Sequence, residues 1–274
     1  MQCVIAGAGL IGPGLVDWPT AQPVLTGARA LVEPAQWGEH LPPLTASMLP
    51  PTERRRAGQA VRLAVMVAEQ TLHGLPIDPV TLALVFASST GDTQVLTEIC
   101  ASLATEERAI SPMRFHNSVH NAPSGYWTIH TGGRMPATAV ALYHDTVAAG
   151  LREAMTQVVA EQLPVLLVVH DVPFPPPLAA VEPVCAPFGF GLLLLPTGAS
   201  PALARLTLRR LPAGEATGMV DPSLEHLRLG VPAARGLPLL AALARLKQTG
   251  VGDTVQLADG TGMLALTVES EAKA

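Results

Sequence analysis

Charge is scarce in this chain. Asp, Glu, Lys and Arg make up only 14% of its 274 residues, against about 25% in an average soluble domain. The formal net charge is −5 and no long basic block occurs, which argues against nucleic acid as the main partner. Cysteine is scarce as well. Cys3, Cys100 and Cys185 stand far apart, with no CxxC and no zinc spacing, so free thiols in a reducing compartment are expected. Long apolar runs are missing. The uninterrupted ones, such as Leu63–Ala68 and Leu82–Ala87, fall well short of the ~20 residues a spanning helix needs. The opening QCVIAGAG lacks the basic region and cleavage site of a secretory signal. The expectation is a cytoplasmic protein without a transmembrane segment.

Apolar side chains are abundant, at 49% of residues with a mean hydropathy of +0.35. Such a composition suggests extensive buried surface and a permanent subunit interface. Gln2–Ala6 reads as a strand running into a glycine turn at Gly7, Gly9, Gly12 and Gly14. Val16–Pro51 is Pro-rich and irregular. Thr52–His73 reads as one helix capped by Thr52, with Val61, Val65, Ala68 and Leu72 on one face and Gly74 as its stop. Thr81–Ala87 fits a strand buried on both faces, followed by a polar turn at Ser88–Asp92 and a helix near Gln94–Leu103. A helix at Asn121–His130, a strand at Ala137–Leu142 and a helix from an Asp145 cap to about Gln162 come next. Val165–Val169 is a further buried strand. Gly189–Pro196 and Ala204–Leu211 look like an antiparallel pair near a sheet edge. Leu237–Lys247 reads as a helix, and Val255–Leu257 and Leu264–Val268 as strands around a glycine turn. The alternation gives a mixed α/β layered domain.

Isolated motifs are weak. Gly7-Ala8-Gly9-Leu10-Ile11-Gly12 satisfies GxGxxG after a strand. No helix and no acidic strand end follow, so a plain glycine turn is the better reading than a dinucleotide site. His116, His120, His130 and His144 form no HExxH and have no acidic residue between Glu107 and Asp145; histidines bonded to backbone are expected, and no metal. Ser118 and Ser124 lack a GxSxG elbow. His144 and Asp145 are adjacent and should point apart rather than form a base and its orienter. Arg54-Arg55-Arg56 reads as a solvated face. Phe115, Tyr126 and Trp127 gather near one elbow, as core or as lining for an acyl chain.

Taken in order, the segments resemble the N-terminal half of the β-ketoacyl synthases, which have a thiolase-like fold. CVIAGAGLIGPG is similar to their opening strand and PTERRRAGQAVRLAVMVAEQTL to their next helix. LALVFASSTGD resembles the following core strand and turn. FHNSVHNAPSGYWTIHTG and PATAVALYHDTVAAGLREA resemble the buried helix, nucleophile strand, elbow and helix, and FGFGLLLLP the closing hairpin. The resemblance implies a thiolase-like half-fold, layered α-β-α around a mixed five-stranded sheet, with a truncated C-terminal part. Residues 1–211 would be the synthase-like half-domain and 212–274 a short extension packed on it.

The elbow departs from the family pattern. The family carries Thr-Ala-Cys there, whereas this alignment puts His144 at the cysteine position, with Tyr143 before it. No cysteine lies between Ala101 and Val184. Only about 60 residues follow the closing hairpin, and His226 is their single histidine. Condensation needs a thiolate to carry the acyl group and donors aimed at the developing oxyanion. The resemblance therefore implies a non-catalytic subunit like a chain length factor of aryl polyene or pigment pathways. It would pair with a full-length β-ketoacyl synthase, meet acyl carrier protein through that complex, and use no cofactor. Phe115, His116, Asn117, Asn121, Trp127 and Tyr143 would face the acyl tunnel or the partner. Ala137, Thr138, Ala139, Val140, Ala141 and Leu142 would form the dimer strand. The alternatives are an enzyme acting alone on an acyl thioester with His144 as general base, and a scaffold that only stabilises a synthase.

Overall fold

The computed structural model describes residues 1–271. Its strands are β1 (Gln2–Ile11), β2 (Ala83–Ala87), β3 (Ala137–Val140), β4 (Val165–Asp171), β5 (Phe188–Leu195), β6 (Ala204–Leu211), β7 (Asp253–Asp259) and β8 (Gly262–Glu269). They form one sheet in the order β3-β2-β4-β5-β1-β6-β8-β7. β2, β3 and β4 run parallel, and β5 lies antiparallel between β4 and β1. The helices are α1 (Trp18–Leu25), α2 (Trp37–His40), α3 (Pro51–Arg56), α4 (Gln59–Leu72), α5 (Thr93–Leu103), α6 (Pro112–Asn117), α7 (Ala122–Thr131), α8 (Thr146–Glu161), α9 (Pro222–Gly230) and α10 (Leu237–Thr249).

The mixed α/β layering is as expected, but the sheet has eight strands rather than five. β1 to β5 make up the expected five. β6, β8 and β7 extend them beyond β1, so the C-terminal stretch joins the sheet itself. One face packs α4 and α7 around Phe86, Leu166 and Leu193. The other packs α1, α8, α9 and α10 around Val85, Leu167, Phe190 and Leu192. β2, β4 and β5 are buried along their whole length, which explains their unbroken apolar runs.

Several boundaries differ from the sequence reading. The glycines after Ala6 make no turn, because Gly7 and Gly9 lie inside the ten-residue β1. They let α4 come close. A Cβ on Gly7 would stand 2.5 Å from the Thr71 carbonyl oxygen, and one on Gly9 2.8 Å from the Thr71 nitrogen. The helix expected over 52–73 breaks at Ala57–Gly58, where the Asp92 carboxylate packs against Gly58. Thr52 therefore lies within α3 and caps nothing. β5 and β6 do not pair with each other, since β1 is long enough to pair with both. The irregular stretch after Val16 holds α1, capped by Asp17 accepting from the Thr20 N–H at 2.9 Å. Among the described residues no helix is long and apolar enough to cross a membrane.

Close packing at Gly9 predicts a contrast between two Gly→Ala changes. Gly9→Ala should lower stability by about 1–3 kcal/mol, the usual cost of overpacking. Gly125→Ala, in α7 with open space around the new Cβ, should be neutral or stabilising by up to ~1 kcal/mol. Thermal unfolding of the two variants checks both signs.

Candidate functional site

Ligands of open α/β sheets bind beyond the carboxyl ends of parallel strands. Here β2, β3 and β4 end at Ala87, Val140 and Asp171, and the loops that follow meet. After β3 the chain turns sharply. Tyr143 takes the left-handed conformation, with φ of 47°, a strained choice for a bulky residue. Thr146 holds the turn: its hydroxyl donates to the Tyr143 carbonyl at 2.7 Å and accepts from the Leu142 N–H at 2.9 Å. α8 begins there. Its Gly150 lets the helix close onto β2, since a Cβ would lie 3.0 Å from that of Ala87.

The rings of Tyr143 and His144 lie 4.0 Å apart between centroids. Both reach Glu182, on the strap between β4 and β5. The Tyr143 hydroxyl donates to one carboxylate oxygen, and His144 Nε2 is 3.5 Å from the other. Burial, then the nearby Arg235, holds the His144 imidazole below its usual pKa, against the opposing pull of Glu182. The bond to Glu182 pushes the Tyr143 phenol up. Beside His144, a cavity lined by Asp145, Arg228, Arg235 and Leu257 among others measures about 30 Å³, room for about one water.

Asp145 does not cap α8. Its Oδ2 accepts from the Gly260 N–H at 2.8 Å. The neighbouring Asp259, almost fully buried, is held by Arg152 of α8 at 2.9 Å. The β7–β8 turn is thus pinned onto the start of α8.

A second group lies beneath, and the sequence reading missed it. Asp171, fully buried, accepts at Oδ1 from the Ser88 hydroxyl (3.0 Å), the Ser89 N–H (2.8 Å) and the Ser89 hydroxyl (2.8 Å). Its Oδ2 accepts from the Ala233 N–H at 2.8 Å. Burial pushes its carboxyl up to about 6, against those donors. Its neighbour His170 is buried with Nδ1 unpartnered, and burial, then His120, pushes it down to about 3. His120 Nε2 lies 3.0 Å from the Ser88 carbonyl oxygen. A charged residue closing the apolar run Val165–Val169 was the available signal for Asp171. Glu182 and Arg235 carry no local signal, because they arrive from distant segments.

The residues expected to face the acyl tunnel or the partner divide. Phe115 and Tyr143 are exposed, at 64% and 50%, and Asn121 is at the surface. His116 packs edge-on against Tyr126, 6.4 Å between centroids, in a pocket of about 190 Å³ with Leu49, Glu53, Ile129 and His130. Asn117 and Trp127 do not face outward. Asn117 is buried, donating to the Arg56 carbonyl at 2.9 Å and accepting from the Tyr126 hydroxyl at 3.1 Å. Trp127 is 2% exposed within the core around α4 and α7. Of the expected dimer strand, Ala137–Val140 is strand, while Ala141 and Leu142 already leave it. Among the described residues no three His, Cys, Asp or Glu side chains converge as a metal site.

The two buried groups pull stability in opposite directions with pH. Asp171, raised in the fold, is penalised above pH 6, and the penalty fades as pH falls towards 4. His170, depressed in the fold, supports stability above pH ~6.5, and that support is lost as pH falls towards 3. His170→Gln removes only the second effect. The variant should gain on the order of 3 kcal/mol relative to the parent between pH 7 and pH 4. Urea unfolding at both pH values measures this; a difference independent of pH would refute a buried neutral His170.

A family model described as the β-ketoacyl synthase N-terminal domain matches residues 29–226. No curated protein matches the chain. Among solved structures, the chain is similar to one in a ketosynthase complexed with its chain length factor from Xenorhabdus doucetiae. That match has 24% identity, covers 97% of this chain and 99% of that one, and has a TM-score of 0.72. It is similar to a chain of the ishigamide ketosynthase/chain length factor, with 15% identity, coverage of 98% and 99%, and a TM-score of 0.74. A β-ketoacyl synthase from Burkholderia phymatum matches at 10% identity, with coverage of 98% and 99% and a TM-score of 0.68. At these identities the structures speak for the fold, a thiolase-like ketosynthase fold, and the family model, spanning most of the chain, speaks for ancestry. The chain belongs to the β-ketoacyl synthase N-terminal domain family.

Proposed function

We propose that this chain is a non-catalytic chain-length-factor-like subunit. It pairs with an active β-ketoacyl synthase and shapes the acyl tunnel of an aryl-polyene-type pathway in the cytoplasm, meeting acyl carrier protein through the complex. Residues 1–211 act as the synthase-like half and 212–274 as an extension that buttresses the elbow.

The observation that carries this reading is the asymmetry of the sheet edges. The β7 edge is covered: Thr217 donates its N–H to the Gln256 carbonyl at 2.9 Å and accepts the Gln256 N–H at its hydroxyl, also 2.9 Å. Among the described residues nothing bonds the β3 edge. Its N–H and C=O groups at Ala137 and Ala139 point outward, because Pro136 and Val140 bond β2 through the Leu84 and Ser88 N–H groups. Bare edges invite pairing. Exposed Ile129 on α7, which contacts β3, and Leu142 and Tyr143 just past β3 add apolar surface near this edge, and apolar surface of this kind fits an obligate partner. The relatives solved as ketosynthase and chain length factor complexes support the choice of partner.

The elbow supports the non-catalytic part. It carries no thiol, and the cavity beside His144 is small, about 30 Å³. That weighs against His144 acting alone as a general base.

Co-expression with a ketosynthase should give a heterodimer. Ala139→Pro removes an outward N–H without touching the β2 bonds, so it should abolish pairing while leaving the fold intact. Phe115→Ala should lengthen the product of the complex, read by mass spectrometry. Intact pairing with unchanged product length would instead favour a pure scaffold, and turnover by the single chain, lost in His144→Ala, would overturn the reading.

A further inference from the structure

The cavity beside His144 has a chemistry that the proposed function does not use. Its volume is about 30 Å³, room for about one water. Its wall brings together Arg235, Arg228, His144, Asp145 and the first turn of α8 at Val147 and Ala148. Arg235 sits on the tight turn Pro232–Gly236, which packs against the elbow and α8. It makes no ion pair among the described residues, and its Nε is buried without a partner. Burial holds this guanidinium below its usual pKa. His144 Nδ1 is buried and unpartnered as well. α8 adds a third positive feature. The first N–H groups of a helix have no partner within it and stand at the positive end of its dipole, and the Asp145 side chain caps none of them.

We propose that this cavity binds one small inorganic anion of the halide class, such as chloride, and that the anion enters together with a proton on His144. While the imidazole is neutral, its proton faces Glu182 from Nε2 and a lone pair stands at Nδ1. That lone pair repels an anion. Protonation turns Nδ1 into a donor on the same cavity as Arg235. The anion then lies among an imidazolium, a guanidinium and a helix N-terminus.

The surrounding charges agree with this stoichiometry. Arg228 is forked onto Glu225 at 2.6 and 2.7 Å, so that pair is neutral, and Arg152 is paired with the buried Asp259. Two carboxylates oppose an anion: Asp145, whose Oδ2 accepts from Gly260, and Glu182 on the Nε2 side of the imidazole. Both favour the imidazolium, against burial and Arg235. Proton and anion together leave the net charge of the site unchanged. The coupling is reciprocal, so the anion raises the His144 pKa by as much as protonation tightens anion binding. The bound ion would tie the elbow and the start of α8 to the turn that leads into α10. None of this depends on a synthase partner.

Exchanging gluconate for chloride at constant ionic strength tests the proposal on the full chain. At pH 6.5 the thermal unfolding temperature should rise with chloride. Bromide should act likewise, whereas acetate and sulfate, both bulkier than one water, should not. The half-saturating chloride concentration should rise between pH 6.5 and 7.5, towards about tenfold, the limit for one proton taken up per anion. Arg235→Gln should lose the chloride response, and Arg235→Lys should keep part of it. His144→Gln should keep a chloride response but lose its pH dependence. The His144 imidazole signals in the NMR spectrum should titrate at higher pH in chloride than in gluconate. An unfolding temperature that ignores chloride at every pH would mean that the cavity takes water alone, and the proposal would fall. It would fall equally if acetate or sulfate matched chloride, if a folded Arg235→Gln responded like the natural chain, or if the His144 titration were indifferent to chloride. Synthase pairing by a chain that ignores chloride would leave the proposed function standing without this inference. A chloride response in a chain that pairs with no synthase would do the reverse.

Discussion

A buried carboxylate holds the working end of this molecule together. Taking a charge out of water costs several kcal/mol unless hydrogen bonds replace the solvent. Asp171 is surrounded by four such bonds, and their donors come from two other segments. Ser88 and Ser89 follow β2, and Ala233 belongs to the turn that leads into α10. One side chain therefore fixes the end of β4, the loop into α5 and the segment that carries Arg235 to the elbow. Because the group is so costly to leave unpaired, these three pieces cannot drift independently. The crevice beyond the parallel strands inherits its shape from that constraint.

The elbow above it is shaped by opposite means. Its strain is local, stored at Tyr143 and offset by the two bonds of Thr146. Around it, side chains from three remote places close in: Glu182 from the strap, Arg235 from beyond α9, and the β7–β8 turn through Asp145 and Arg152. A tyrosine, an imidazole and a carboxylate gather here: the Tyr143 hydroxyl donates to Glu182, and His144 lies 3.5 Å from the same carboxylate with its Nδ1 unpartnered.

Legibility in the sequence followed the range of the interaction. β2, α5, α7, β4 and α10 were readable because each is set by its own period, cap or run of apolar residues. The resemblance to ketosynthases was readable because those elements recur in order. What failed was longer in range. Gly7 and Gly9 looked like a turn, and only the approach of Thr71 from α4 shows why a strand needs glycine there. β5 and β6 looked like a hairpin because the length of β1, which separates them, extends through those same glycines. Trp127, read as core or as lining for an acyl chain, lies in the core through the way α7 meets α4. Asp145 looked like a cap because nothing near it in sequence announces Gly260.

The low charge of the chain is by itself weak evidence for a partner. It is the composition an interface would produce, but much of the apolar excess is consumed inside the protomer. Strands β2, β4 and β5 are buried on both faces, and α4 and α10 are buried nearly all round. Composition would look the same if the protein never met a partner. What distinguishes an interface is where the remainder lies. Large apolar side chains left at the surface include Ile129 on α7 and Leu142 and Tyr143 in the loop after β3, beside a strand edge whose backbone groups stay unpaired among the described residues, while the far edge has been closed by Thr217. A sheet that shields one edge and leaves the other bare amid apolar surface is asymmetric in the way pairing requires. That asymmetry, and not hydrophobicity itself, marks the β3 side as the one where a partner would sit.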